Sequence, residues 1–401
     1  PSQTPPLNRE SEGGGYARAA SSGTRWTTAQ GILNKLATAV AMYMVALSLS
    51  AEEFALASLV IVASGFIMVI PTFVMGDVVI AHQHHLMAIS QVARRIVLHT
   101  AIVMTVVMLA AAPVVSLWYP QYPYIEMALL LAITGARPIA DGLGVFPLSA
   151  LRTDLRYREI ALINGTVQLA ASALTVVWAV LHPGAAAIVV PQVLSAVAKS
   201  AWCAHAARSS PSAARWRRRQ GPPRRAAEVH RLLLREFSIA SLAQYVHTVV
   251  CGLPLMVTAW FSSEAETGYF GFAFALANQA STIISYQLAT VLQPIFGRLR
   301  TNPERQIAGF MRVIALMGAV AVPLSLLQAA FAEPLFALVF KEKWLPSVPF
   351  FVALCMGQTA LFMVAPAMAL LKAQGRFATY FVWQLAQALL CLVMFPIAVQ
   401  S

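Results

Sequence analysis

Residues 96–117 read IVLHTAIVMTVVMLAAAPVVSL, with Arg94-Arg95 directly before them and Trp118-Tyr119-Pro120 directly after. A helix needs about 20 mostly apolar residues to cross the hydrocarbon layer of a bilayer. This run meets that length. It has cations at one end and interfacial aromatics at the other, the flanks a spanning helix uses as anchors.

Working outward, similar runs recur at roughly 29–49, 55–76, 125–148, 160–181, 185–206, 238–261, 268–293, 308–331, 347–371 and 377–399, about eleven in all. They are continuous, whereas barrel strands would be short and alternating. The 401-residue chain is 59% hydrophobic and 11% charged. A soluble domain is about a quarter charged, so a water-facing core is excluded. The pattern predicts an all-α polytopic membrane protein, with two helical lobes (about 6+5 or 6+6 spans) around a central cavity.

The loops alternate in charge. Arg94-Arg95, Arg152, Arg156, Arg158, the stretch from Arg208 to Arg235, Arg298, Arg300, Arg305, Lys372 and Arg376 fall on one side. Glu52-Glu53, the turn WYPQYPY at 118–124, His182-Pro183-Gly184, Glu264, Glu266 and the segment from Glu333 to Trp344 fall on the other. The positive-inside rule then places the N-terminus in the cytoplasm. Residues 1–28 read as a disordered cytoplasmic tail and 29–206 as a six-helix N-terminal lobe. Residues 207–236 read as a basic cytoplasmic linker, and 237–401 as a C-terminal lobe whose odd span count puts the C-terminus outside and whose last apolar run, ending at Ser401, reads as a truncation. Net charge is +12, and the basic residues sit between apolar runs. Arg217, Arg218, Arg219, Arg224 and Arg225 in the linker therefore suit anionic phospholipid headgroups, and no nucleic acid is expected.

Ionisable groups inside spans mark pathways or paired structural sites. Arg137 and Asp141 stand at i, i+4 in the fourth span and share a helix face. They read either as a packing pair or as a cavity cation that Asp141 positions for a phosphate-type headgroup, which a guanidinium fork suits. The eighth span carries Asn278, Gln279, Thr282, Ser285 and Tyr286, which line a cavity or hydrogen-bond to neighbouring helices. Lys199 and Arg312 read as snorkelling cations. Asp77 reads as a helix-end polar contact and His82, His84 and His85 as a surface loop. Cys203, Cys251, Cys355 and Cys391 read as apolar fillers. Prolines within spans, Pro138 among them, predict kinks. HExxH, GxSxG and Walker A patterns are absent from the sequence, so no enzyme, metal or cofactor is expected.

Several stretches resemble the polysaccharide-exporting, Wzx-like flippases of the multidrug/oligosaccharidyl-lipid/polysaccharide exporter superfamily. Leu49-Ser50-Ala51-Glu52-Glu53-Phe54 resembles the turn between their first two helices, with Ala55 where glycine is common. Ala150 to Arg158 resembles their "allrrdlrfr" loop. Gly268-Tyr269-Phe270-Gly271 resembles the start of their eighth helix, and Gln293 to Leu299 its end. Ala332 to Trp344 followed by Leu371 to Arg376 resembles "aeplv.llfGekW … llkA.Gr", with Phe340-Lys341 replacing the glycine. The resemblance implies two six-helix lobes and alternating access. It also implies a polyprenyl-pyrophosphate-linked oligosaccharide cargo for surface polysaccharide assembly at a bacterial inner membrane, and polysaccharide polymerase and glycosyltransferases as partners. A cation-coupled multidrug antiporter of the same fold and a membrane polymerase or ligase are the alternatives.

Overall fold

A computed structural model of the chain describes residues 9–68, 86–154, 156–218, 226–298, 303–340, 342–374 and 376–400. Asp77, His82, His84, His85, Arg219, Arg224 and Arg225 lie outside them. So do the side chains of Arg217, Arg218, Thr282, Ser285 and Tyr286, whose backbones are helical.

The helices are α1 (Arg9–Ser48), α2 (Ala51–Met68), α3 (Leu86–Trp118), α4 (Tyr124–Thr134), α5 (Arg137–Thr153), α6 (Tyr157–Leu181) and α7 (Ala186–Ala206). After a 3₁₀ turn at Ala207–Ser209 come α8 (Pro211–Arg218), α9 (Ala226–Phe261), α10 (Glu264–Arg298), α11 (Pro303–Ala330) and α12 (Ala332–Leu335). A π turn (Phe336–Phe340) and a 3₁₀ turn (Glu342–Ser347) lead into α13 (Val348–Ala373) and α14 (Phe377–Gln400). Among the described residues seven segments are long and apolar enough to cross a membrane: Ala29–Ser48, Ala93–Trp118, Tyr124–Arg152, Tyr157–Leu181, Ala186–Ser209, Phe237–Phe261 and Pro303–Ala330. The other four expected spans fall on α2, α10, α13 and α14. The chain is a multi-pass membrane protein.

Side-chain exposure fits lipid as the solvent. On α3, Val97, Ala101, Met108 and Ala112 are buried at steps of about one or two turns, while Ile102, Val103, Val106, Leu109 and Leu117 face outward. In water an outward stripe of this kind would be an aggregation surface. In hydrocarbon it is solvated.

Two expected boundaries differ. The stretch read as a tail to residue 28 is helical from Arg9 onward, because a span supplies the nucleus and each further residue then adds a hydrogen bond. The expected linker is partly helical as well. Pro211 starts α8 with its missing N–H at no cost, and the Ser210 hydroxyl accepts from the Ala213 N–H at 3.1 Å as a cap.

The kink expected from Pro138 is present as a break at Gly135-Ala136 between α4 and α5. Thr105 on α3 donates to the Gly135 carbonyl at 2.8 Å, so the interrupted ladder keeps a partner. Beyond the break α5 has neighbours at close range. A Cβ on Gly142 would meet Ala101 at 3.1 Å, and one on Gly144 would meet the Ser200 hydroxyl at 2.5 Å. Small residues here let α5 close on α3 and α7.

The same helix pairings appear twice. α1 packs on α6 and α9 on α14, and α3 packs on α4 and α5 as α11 packs on α13. The first turn of each set is a reciprocal capping box. Ser50 N–H donates to Glu53 at 2.8 Å and Glu53 N–H to the Ser50 hydroxyl at 3.2 Å. Ser263 and Glu266 repeat this at 3.0 and 3.3 Å. The two sets meet where α2 packs on α9 and α10 and where α3 touches α9.

Candidate functional site

The contact between the two sets holds a group that the sequence reading passed over. Lys35, half-buried in the first span, donates from Nζ to Oε1 of Gln279 on α10 at 3.3 Å. A lysine this deep in a span is costly unless it meets polar groups or water. It faces one of the expected cavity residues, with Asn278 adjacent in sequence. The signal was present, a lone cation seven positions into an apolar run, but its partner is 244 residues away in sequence. Next to it Asn34 has a buried Oδ1 with no hydrogen bond.

Arg137 and Asp141 do pair. Arg137 Nε lies 3.4 Å from Asp141 Oδ2, and the side chains are 40% and 27% exposed. The geometry is a contact pair rather than an aligned bidentate fork, and Arg137 Nε itself makes no hydrogen bond. Lys199 on α7 adds a second cation to the field at Asp141. Two cations against one carboxylate leave this cluster net positive. Its helix, α5, packs mainly on α7 and α3, whereas Lys35 and Gln279 belong to α1 and α10. Lys199, expected to snorkel, is half-buried, and Arg312 is exposed on α11.

The second set offers neutral polar groups. Gln384 on α14 is fully buried and lies 2.9 Å from His247 Nδ1 and 3.2 Å from the Tyr380 hydroxyl. Gln384 thus joins α14 to His247 on α9, with Tyr380 of its own helix holding the same amide.

At the basic ends of the helices, the loop from Ala150 to Arg158 fastens the linker. The Asp154 carboxylate accepts from the Ser210 and Ser212 hydroxyls, and from the Ser212 N–H at 3.4 Å. Arg156 forms two 2.6 Å hydrogen bonds to Glu159 and reaches the Ser209 hydroxyl at 2.9 Å. Arg158 lies over the Trp26 ring at 5.3 Å. Among the described residues no cluster of three His, Cys, Asp or Glu is arranged to hold a metal. Cys203 and Cys355 are buried and Cys251 is exposed, and all three are thiols outside any disulfide.

The arrangement of helices is that of membrane transporters built from paired bundles. It superposes on the lipid II flippase MurJ in its inward closed conformation with a TM-score of 0.66, at 10% identity, over 92% of this chain and 80% of that one. A MATE structure in the bent conformation gives 0.51 at 13% identity, covering 95% and 96%. A MOP superfamily transporter from Pyrococcus furiosus, described as having a binding pocket of reversed polarity, also gives 0.51 at 13% identity, covering 94% and 95%. Residues 44–349 match the family described as polysaccharide biosynthesis protein, and the chain belongs to that family. No curated protein matches the sequence.

Proposed function

We propose that the chain is a flippase of a bacterial inner membrane. It moves a polyprenyl-pyrophosphate-linked oligosaccharide from the cytoplasmic to the outer leaflet for surface polysaccharide assembly. The single observation that carries this reading is Lys35 held against Gln279 where the two helix sets meet, in a chain of the polysaccharide biosynthesis family. A pyrophosphate headgroup crossing hydrocarbon needs fixed cations and hydrogen-bond donors in place of water. Lys35 supplies the charge on one wall, and Gln279 and Asn278 supply amides on the facing helix. Thr282, Ser285 and Tyr286 continue the polar run of α10, and Arg137 with Asp141 forms a second cationic station. Similarity to the lipid II flippase fold supports a lipid-linked cargo. The N-terminus lies in the cytoplasm by the charge rule, with residues 29–206 and 237–401 as the two lobes. The basic linker rests on anionic lipid. The protein transports and catalyses no covalent step; polymerase and glycosyltransferases act before and after it.

The test is a deletion strain complemented with wild-type or Lys35→Met protein, with lipid-linked intermediates extracted and assigned to a leaflet. Complete repeat units accumulating on the cytoplasmic leaflet, with at least about a tenfold loss of surface polymer for Lys35→Met, is the expected result. Complete units on the outer leaflet that stay unpolymerised would sink the reading in favour of a polymerase. Unchanged intermediates with altered drug sensitivity would point to an antiporter.

A further inference from the structure

The helix ends opposite the basic loops hold a device that neither the cargo nor the topology requires. Just past the end of α1, the capping box of α2 takes the Ser50 N–H for Glu53. That N–H would otherwise bond the Ala46 carbonyl, four residues back. The freed carbonyl accepts instead from Trp344 Nε1 at 2.7 Å, across 298 residues of sequence. Lys343 Nζ covers the neighbouring Leu47 and Leu49 carbonyls at 3.1 and 3.0 Å. A cation at a helix C-terminus is also favoured by the helix dipole. Trp344 is buried and stacks on Phe272 at 4.0 Å, with Phe54 edge-on at 5.8 Å.

The second set mirrors this. Just past the end of α9, the capping box of α10 takes the Ser263 N–H for Glu266, which frees the Ala259 carbonyl. Gln121, in the turn between α3 and α4, donates to that carbonyl at 2.6 Å. Tyr119 donates to the Met256 carbonyl at 3.3 Å, and Trp118 and Tyr119 pack edge-on against Trp260 at 6.3 and 5.8 Å. Burial pushes the phenols of Tyr119 and Tyr122 up to about 12, so both stay protonated at physiological pH. Each set therefore sends the connection after its third span across to cap the open end of the other set's first span. Between the two caps α2 and α10 touch backbone to backbone, since a Cβ on Gly268 would lie 2.0 Å from the Ala51 carbonyl oxygen.

We propose that these two reciprocal clasps, Trp344-Lys343 on α1 and Gln121-Tyr119 on α9, are the gate of the face opposite the basic loops. Both release before that face opens. The proposal rests on reading the chain as a transporter, but not on the identity of the cargo. The "ekW" stretch singled out in the sequence thereby has a role: its tryptophan and lysine hold the two halves together. A fully made hydrogen bond to a buried carbonyl holds the closed state, and its loss shifts the population toward the open one.

The reporter is Ser58→Cys on α2, which faces Gly271 of α10 below the seal. Cys251 is replaced by Ser to lower the background. Purified full-length protein in liposomes is treated with a membrane-impermeant maleimide from the face opposite the basic loops. Trp344→Phe keeps the ring and removes the donor; Gln121→Leu keeps the bulk and removes the amide. Each is expected to speed labelling about fivefold, and the pair together about twenty-five-fold, since the sites are separate. Lys343→Met, at an exposed position, serves as a milder second variant of the first clasp. In detergent solution, where the reagent reaches both faces, labelling of the native, buried Cys203 near the basic ends should stay unchanged. Unchanged Ser58→Cys labelling in the double variant would overturn the proposal. So would acceleration of Cys203 by the same factor, which reports general loosening. Retained flipping by the Lys35→Met protein, with labelling still accelerated by the clasp variants, would count against the cargo site alone.

Discussion

In the first set of helices the turn after the fourth span is built around Asp154; in the second the matching turn is built around Gln374. The backbones agree closely. Asp154, Arg156 and Ile160 donate to Ala150, Leu151 and Arg156 at 3.0, 3.0 and 3.2 Å. Gln374, Arg376 and Tyr380 donate to Leu370, Leu371 and Arg376 at 3.0, 3.0 and 3.1 Å. The side chains do different things. Asp154 holds Ser210 and Ser212 and so ties the basic linker to the first set. Gln374 donates to Gln306 at 3.0 Å, and Gln306 donates to the Phe296 carbonyl at 2.8 Å, joining α10, α11 and α13 without charge. The interior polar groups divide in the same way. Lys35, Arg137, Asp141 and Lys199 lie in the first set, while the second packs His247, Gln384 and Tyr380. A shared scaffold of turns and caps is thus combined with an unequal distribution of charge. The scaffold sets the shape, and the interior charge and the linker docking both fall on one side.

This comparison can be broken at three levels. The largest effect is expected where backbone meets backbone. Gly268→Val has no room beside the Ala51 carbonyl, and overpacking that no rotamer relieves costs about 3 kcal/mol or more. Gly309, whose added Cβ would meet nothing within 4 Å, should accept Ala without loss. Size-exclusion profiles and thermal melts in detergent measure both. Next, Asp154→Ala should cost about 3 kcal/mol, because charge-assisted hydrogen bonds are lost together. Gln374→Ala should cost about 1 kcal/mol. Equal losses in melting temperature would show that charge is not what distinguishes the two turns. The smallest effect concerns the capping boxes. Ser50→Ala and Ser263→Ala should each cost about 1 kcal/mol, and by the same amount. A marked inequality would show that the two caps are not equivalent.

How much of this was legible beforehand follows from the range of each interaction. The α-helical membrane fold, the break at Pro138 and the Arg137–Asp141 pair are governed by neighbours within about one helical turn, and hydropathy with loop charge carries them. The helical stretch from Arg9 was misread because local polarity says little once a span has nucleated the helix. The Asp154 and Arg156 ties to Ser209, Ser210 and Ser212 were missed although the motif itself was recognised, since its partners lie past two further helices.

By itself, the sequence determined the class of solvent, the helical class, the side of the membrane each loop is expected to face, and which polar residues stand inside spans. All of these depend on composition and on periodicity within one helix. Only the tertiary structure decided that Lys35 faces Gln279, that Trp344 covers the Ala46 carbonyl, and that Gln121 covers that of Ala259. Those pairings join residues 138 to 298 positions apart. They come from packing two helix sets so that the Ala46 and Ala259 carbonyls, freed at helix ends, find donors, and that requirement has no local period to read.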